Sequence, residues 1–496
     1  MQQLSGLDAM FLYQELDNAP MHIAGLAIYD PSTTPDKFVR FKDILKTFED
    51  RLHLSPVFRR RLVNVPLNLD HPYWIEDPNF DLEFHVRHIA LPKPGDWRQL
   101  CIQVARLHAR PLDLNRPLWE ATVIEGLDNI PGVPEGSYAV YTKTHHAAVD
   151  GARSVHIARS MLSADPDHRL PDSPLSLDSW KRYRAGLKRG GAGAPSDGQL
   201  RNVVEALKAS YDSGAQLYGV AKRITRAWTG DDNLLLPFLK VPTSSINTSV
   251  DGARRFVAQS WPFDRIKAVA KAFDGTVNYA VLAMFGGALR TYLQNHAELP
   301  EESLKAMVPV SVRAEGDVDS SNAVAAINAD LGTNIQDPSR RFAAIRESTL
   351  AGKSLYADLS PGEAQLFSLL LQTPGMLLMP LGLISRLPPF NTVISNVPGI
   401  RETMYWNGAR LDGSYPASIV MDGVAMNITL STYDQNVDFG IIACRRSLPQ
   451  VQRLIDYMEE ALQALEDAAG IKVKATPKRQ KKRKSPRKKA SRKAKA

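Results

Sequence analysis

The chain is divided by one stretch that cannot be built into a packed layer. Residues 164–200 are rich in Asp, Pro, Ser and Gly and end in RGGAGAPSDG at 189–198, a composition that reads as an inter-domain linker. With 496 residues in all, the part on either side is large enough for its own core, because single cores rarely grow beyond roughly 250 residues. In the first part, HIAGLAIYD (His22–Asp30) and SYAVYTKTHH (137–146) read as strands, and FKDILKTFEDRL (Phe41–Leu52) reads as an amphipathic helix. The expected organisation is an α/β half at 1–175, a linker with an amphipathic helical region at 176–235, a second α/β half at 236–471, and a separate tail at 472–496. No internal repeat is visible in the sequence.

Composition narrows the class of protein. At 44% hydrophobic and 23% charged residues, the chain is neither collagen-like, rod-like nor wholly disordered. The net charge of +8 hides a division: the last 25 residues hold 14 Lys or Arg and no acid, which leaves 47 basic against 53 acidic residues in the body. A tail reading KRQKKRKSPRKKASRKAKA has no apolar face to bury and is expected to be disordered in isolation. It reads as a solubilising tail, as an attraction to anionic lipid headgroups, or as a nonspecific nucleic-acid contact; charge alone does not choose. The first 36 residues contain no Lys or Arg, so neither a signal peptide nor an Arg-rich transit peptide is expected, and a cytoplasmic location is. Cys101 and Cys444 stand in no CxxC or Cys/His spacing, which argues against a disulfide framework or a structural zinc.

Residues 364–385 contain no charge, a length that raises the question of a membrane span. Gln365, Gln372, Pro374, Gly375, Pro380 and Gly382 interrupt it. It reads as a buried helix pair or as an apolar wall for a lipid substrate. WKRYRAGLKR at 180–189 suits either an interfacial segment or a solvated linker face.

Nucleotide and hydrolase motifs fail. Gly352-Lys353-Ser354 is no phosphate loop, since Glu347 stands where the first glycine is needed, and neither GxSxG nor HExxH occurs. The segment that stands out is THHAAVDG at 144–151, placed where a strand ends and a helical pattern begins. Side chains alternate along a strand, so His145 and His146 face opposite ways and only one of them can serve a given cleft. Asp150, four residues after His146, is placed to cap backbone N–H groups or pair with an arginine, and so to hold the loop. Gly151 suits a tight turn.

With these residues the chain resembles the HHxxxDG acyltransferases, a superfamily that includes chloramphenicol acetyltransferase and peptide-synthetase condensation domains. Further segments make it similar to the bacterial wax ester synthase/acyl-CoA:diacylglycerol acyltransferase family: LSGLDAMFLYQE (4–15), PMHIAG (20–25), RPLWE (116–120), PVSVR (309–313) and NTVISNVPG (391–399), in the family's order. The resemblance spans roughly residues 1 to 465. Two departures stand out. The family's Asn-Asp pair is here Asn278-Tyr279, so no role of that aspartate carries over, and Ile400 follows NVPG where the family has proline. Asp438-Phe439-Gly440 lacks the residues that would complete the plant DFGWG motif.

The resemblance implies two chloramphenicol-acetyltransferase-like α/β domains with mixed sheets and an active-site tunnel at their interface. It implies transfer of a long-chain acyl group from acyl-CoA to a fatty alcohol or a diacylglycerol, with His146 as general base, His145 and Asp150 in support, Gly151 shaping the loop and Asn278 as a weaker candidate near the reacting carbonyl. Acyl-CoA is then a co-substrate, and no permanently bound cofactor and no metal is expected. Peripheral association with a membrane or lipid-droplet surface is expected, and no specific nucleic acid. The alternatives are another HHxxxDG O-acyltransferase acting on a polyketide-type alcohol and, from a different class, a noncatalytic lipid-surface or nucleic-acid-binding protein.

Overall fold

Two six-stranded sheets organise the protein, and their membership does not follow the order of the chain. A computed structural model describes every residue except 1, 5, 53–55, 67–69, 150–161, 168–234, 312–323 and 472–496; between 357 and 380 it describes 359, 367, 371, 374, 375 and 378. The strands are β1 (Gln2–Gln3), β2 (His22–Asp30), β3 (Arg60–Val63), β4 (Tyr73–Glu76), β5 (Val86–Ala90), β6 (Trp119–Glu125), β7 (Tyr138–His145), β8 (Arg254–Pro262), β9 (Lys305–Ser311), β10 (Val324–Asp330), β11 (Thr392–Ile400), β12 (Tyr405–Trp406), β13 (Ala409–Ala417), β14 (Met426–Tyr433) and β15 (Asn436–Cys444). The helices are α1 (Gly6–Tyr13), α2 (Phe41–Leu52), α3 (Leu82–His85), α4 (Trp97–His108), α5 (Phe263–Ala272), α6 (Val277–Asn295), α7 (Pro338–Ser354) and α8 (Leu454–Ala468).

The first sheet has the order β12-β13-β2-β7-β6-β5, and the second β10-β9-β11-β14-β15-β8; β1, β4 and β3 form a small third sheet. Both large sheets are mixed, with parallel pairs at β5/β6, β9/β11 and β11/β14. The strands and the helix read near the N-terminus are present: His22–Asp30 and Phe41–Leu52 match, and the strand expected at 137–146 runs from Tyr138 to His145.

The link between the halves is β13. Burial alternates strictly along it, as period-two side-chain placement requires. It lies antiparallel to β2 from Arg410↔Asp30 to Ala417↔Ala24, although it comes from the second half of the sequence. Where it passes β15 the two backbones meet closely: a Cβ on Gly440 would lie 1.7 Å from the Pro416 carbonyl oxygen, so no side chain fits there. Asp438 ties the same crossing, its carboxylate accepting the Ser260 hydroxyl at 2.6 Å and the Ser414 N–H at 2.7 Å.

A single apolar cluster extends across both sheets, from Leu26, Leu100 and Tyr141 to Phe256, Phe285 and Ile441. Its centre in the second half is α6, apolar over almost its whole circumference and therefore buried on nearly every side. In the first half, α2 buries Ile44 and Phe48 in a second cluster with Trp119 and Trp406. Helix α4 begins in a capping box, in which Asp96 accepts the Gln99 N–H and Gln99 reaches back to the Asp96 N–H. No described helix is long and apolar enough to cross a membrane. The amphipathic helical region expected within 176–235, the 180–189 cluster, the basic tail and most of 364–385 lie outside the described residues, apart from residue 235.

Candidate active site

Strand β7 lies between β2 and β6 and presents Tyr141, Lys143 and His145 on one buried face. His145 ends the strand opposite His22, and its N–H donates to the Leu118 carbonyl at 3.0 Å. His146 leaves the ladder: its N–H donates to the Met21 carbonyl at 2.9 Å, and the chain then turns as the Ala148 and Val149 N–H groups donate to the His145 carbonyl.

This break at the strand end gives two adjacent histidines different chemistry. His145 is fully buried. Its Nδ1 accepts the Ala147 N–H at 3.0 Å, which places the ring proton on Nε2, and Nε2 is hydrogen-bonded to the Glu15 carboxylate. Both nitrogens are thereby committed, and His145 has no lone pair to offer a substrate. His146 is only half-buried. Its imidazole stacks on Phe11, with ring centroids 3.9 Å apart and planes 20° from parallel. One N-terminal segment therefore sets both rings: α1 supplies Phe11, and the chain just beyond it supplies Glu15.

The layer beneath consists of basic side chains held by backbone carbonyls. The His22 Nε2–H donates to the His108 carbonyl at 2.9 Å, and the two rings meet edge to face at 4.6 Å. His108 donates from Nε2 to the Ser418 carbonyl at 3.0 Å and accepts the Tyr141 hydroxyl at Nδ1 at 2.9 Å. Burial, reinforced by nearby cationic groups, holds His22 well below the usual histidine range and His108 down at about 3; both are neutral at physiological pH. Lys143 donates to the Leu107 and Arg110 carbonyls at the end of α4 and pairs with Glu120 at 3.4 Å, a favourable place for a cation at a helix C-terminus. Burial lowers its pKa, partly offset by Glu120.

The RPLWE segment is a buttress for this strand end. The Leu118 carbonyl holds the His145 backbone, Glu120 neutralises Lys143, and the Trp119 indole donates to the Phe58 carbonyl at 2.8 Å while stacking on His85. Trp119 is a packing residue, buried in the cluster that holds Phe48, Phe58 and Trp406.

Of the residues singled out in the sequence, His145 and His146 are brought together as described, whereas Asp150 and Gly151 lie outside the described residues. Asn278 sits half-buried in the first turn of α6, behind the Thr276 cap, and none of the contacts among the described residues joins it to the histidine pair. Tyr279 is buried edge-on against Phe342. Glu15 and Phe11 belong to the site but carry no individual signal in the sequence beyond membership of the 4–15 segment. The Asn391 side chain fixes the entry to the second half, accepting the Lys305 N–H and donating to the Pro242 carbonyl and Asn247.

Comparison with known proteins identifies the family. Residues 4–281 match the wax ester synthase/diacylglycerol acyltransferase catalytic domain, and residues 320–466 match the WS/DGAT C-terminal domain. A putative diacylglycerol O-acyltransferase of Mycobacterium bovis is 40% identical over 471 residues, covering 94% of this chain and 98% of the relative. The solved wax ester synthase/diacylglycerol acyltransferase of Marinobacter aquaeolei VT8 superposes with a TM-score of 0.73 at 35% identity, over 95% of this chain and 100% of that one. A condensation domain of the CDA synthetase, 15% identical over 94% of this chain and 96% of its own, shares the fold alone, with a TM-score of 0.53. With both halves matched in order and a relative at 40% identity across nearly its whole length, the chain belongs to the wax ester synthase/diacylglycerol acyltransferase family.

Proposed function

We propose that the protein moves a long-chain acyl group from acyl-CoA to the hydroxyl of a long-chain alcohol, a diacylglycerol or both, with His146 as the general base. The observation behind this assignment is the commitment of both His145 nitrogens, to Ala147 and to Glu15, beside a half-buried His146. His146 takes the hydroxyl proton as the alcohol oxygen attacks the thioester carbonyl. The tetrahedral intermediate then collapses with cleavage of the C–S bond, and the imidazolium gives its proton to the departing CoA thiolate. The ester forms, the thiol leaves, and His146 is neutral again. Acyl-CoA enters as a substrate, and no covalent enzyme intermediate forms.

In this reading His145 is a positioning residue, Asp150 and Gly151 keep the loop in shape, and Asn278 is a weaker candidate for hydrogen bonding near the reacting carbonyl. The halves at 1–175 and 236–471 flank the tunnel through which donor and acceptor meet, and the tail at 472–496 assists peripheral attachment to an anionic membrane or droplet surface from the cytoplasm. The test pairs palmitoyl-CoA with hexadecanol, with diacylglycerol and with ethanol on purified protein, following thiol release and ester formation. Ester formation that rises with acceptor length supports the reading. Thiol release that is indifferent to a long-chain acceptor would overturn it.

A further inference from the structure

Three arginines converge where the two halves meet, and none of them belongs to the site described above. Arg255 lies on β8 opposite Ala443 of β15, and Arg254 opposite Cys444. The Arg445 N–H then donates to the Ala253 carbonyl at 3.0 Å, continuing the ladder by one rung. Alternation puts the Arg445 and Arg255 side chains on the same face of this strand pair, as diagonal neighbours within reach of long side chains. Helix α4 lies along β8, its Trp97 indole donating to the Ala258 carbonyl at 3.0 Å, and brings Arg98 and Cys101 into electrostatic range of Arg255. Partial burial and the like charges of Arg445 and Arg98 lower the Arg255 pKa.

Like charges gathered this way repel unless an anion lies among them. Among the described residues none of the three makes an ion pair, and the nearby carboxylates are engaged elsewhere. Asp96 caps α4 through the Gln99 N–H, while Asp251 accepts the Ala253 N–H and faces Arg446 at 3.8 Å. Arg98 and Arg445 are exposed and Arg255 half-buried, so a ligand has access. Guanidinium groups bind phosphate oxygens through paired, charge-assisted hydrogen bonds.

The placement relative to the histidines specifies which phosphate. Arg98 lies in the first turn of α4, whereas His108, at the other end, holds His22, the cross-strand neighbour of His145. A helix of 12 residues is about 16–18 Å long. Arg254, next to Arg255, donates to the Asn18 carbonyl, three residues beyond Glu15. In acyl-CoA the thioester and the phosphates lie at opposite ends of an extended pantetheine arm, a separation of this order. We propose that Arg98, Arg255 and Arg445 form the phosphate-binding site for the CoA portion of the donor, outward along α4 from the histidine pair. The proposal rests on acyl-CoA being the donor.

The experiment uses the full chain and the substitutions Arg98→Gln, Arg255→Gln and Arg445→Gln, singly and combined, with circular dichroism and melting to establish folding. Calorimetry measures CoA binding, and kinetics compare palmitoyl-CoA with palmitoyl-pantetheine, which lacks the phosphates. The expected result for Arg255→Gln is CoA binding weakened about tenfold or more, as for loss of a charge-assisted hydrogen bond, with the rise in KM for palmitoyl-CoA exceeding any fall in kcat. The kcat/KM preference for palmitoyl-CoA over palmitoyl-pantetheine falls by a similar factor, and Arg255→Lys recovers part of it. Unchanged CoA affinity and donor preference in folded variants overturn the assignment while wild-type turnover keeps the donor reading intact. Loss of binding to phosphatidylglycerol vesicles with CoA affinity retained also overturns it, because the anion is then a lipid headgroup. If the wild-type protein itself neither binds CoA nor releases thiol, the donor reading fails and this site fails with it.

Discussion

Glu15 and His145 are 130 residues apart in sequence, yet the carboxylate of one fixes the tautomer of the other. With Nδ1 occupied by the Ala147 N–H, the Nε2–H of His145 points at Glu15. Glu15→Ala would leave a buried donor without an acceptor, at a cost of about 1–3 kcal/mol, and should lower both melting temperature and kcat. Glu15→Gln, whose amide oxygen can accept the same hydrogen, should recover most of the stability. Chemical denaturation of the two variants beside wild type checks this, and an alanine variant as stable as wild type would remove Glu15 from its role.

Replacing His146 should separate chemistry from folding. The side chain is half-buried and stacks on Phe11, so His146→Ala should cost little stability while kcat falls by about 10²–10⁴-fold, the usual contribution of a general base. Thiol release with palmitoyl-CoA and hexadecanol, measured on protein whose melting is unchanged, provides the check. Near-wild-type turnover would pass the role of base to another residue.

Asp438 predicts a pH dependence of stability. Burial pushes its carboxyl up to about 7, against the lowering effect of its hydrogen bonds from Ser260 and Ser414. The folded state therefore holds the proton more tightly than the unfolded chain does. The associated stability is fully present below the unfolded value near 4 and is lost as the pH rises towards 7. Asp438→Asn cannot titrate and should flatten this part of the profile, which melting temperatures between pH 4 and 8 would reveal.

Gly440→Ala tests the crossing of β13 over β15. The added methyl would meet the Pro416 carbonyl oxygen at 1.7 Å, so the strands must separate, and a loss of about 1–3 kcal/mol is expected from overpacking. Unfolding midpoints in urea would measure it. An unperturbed midpoint would mean that the crossing is looser than described.

The tail should act by charge alone. Removal of 472–496, with its 14 basic residues, should weaken binding to anionic vesicles at 0.1 M salt and have little effect at 1 M, where the Debye length falls to about 3 Å. Activity on detergent-dispersed substrate should persist. Co-sedimentation at both salt levels, together with the detergent assay, separates these outcomes.

Local patterns in the sequence were enough to read β2, β7 and α2, because period-two and 3.6-residue apolar spacing is recorded within a few residues. The sequence pattern assigns both His145 and His146 to the strand, whereas β7 ends at His145 and His146 turns away from the ladder, so the difference between the two rings comes from this break rather than from alternation. What the sequence did not disclose is set by distant contacts. The pairing of β13 with β2 depends on two segments that become neighbours only when folded, and the roles of Phe11 and Glu15 appear only when the N-terminal segment lies against the end of β7. The arginine trio is equally hidden, since its members are spread over positions 98, 255 and 445.

The exchange of β13 also fixes the order in which this protein can be completed. Until β13 is made, β2 is an open sheet edge, a strand with unpaired N–H and C=O groups and a site for misassociation. Asp30 and its partner Arg410 are 380 residues apart, which at ordinary rates of synthesis is on the order of 20–80 s. A nascent chain paused between the two halves therefore carries the His145–His146 pair at the end of a strand in an unfinished sheet. Cutting the gene within residues 164–200 should yield a first half that is insoluble alone and recovers when the second half is produced beside it.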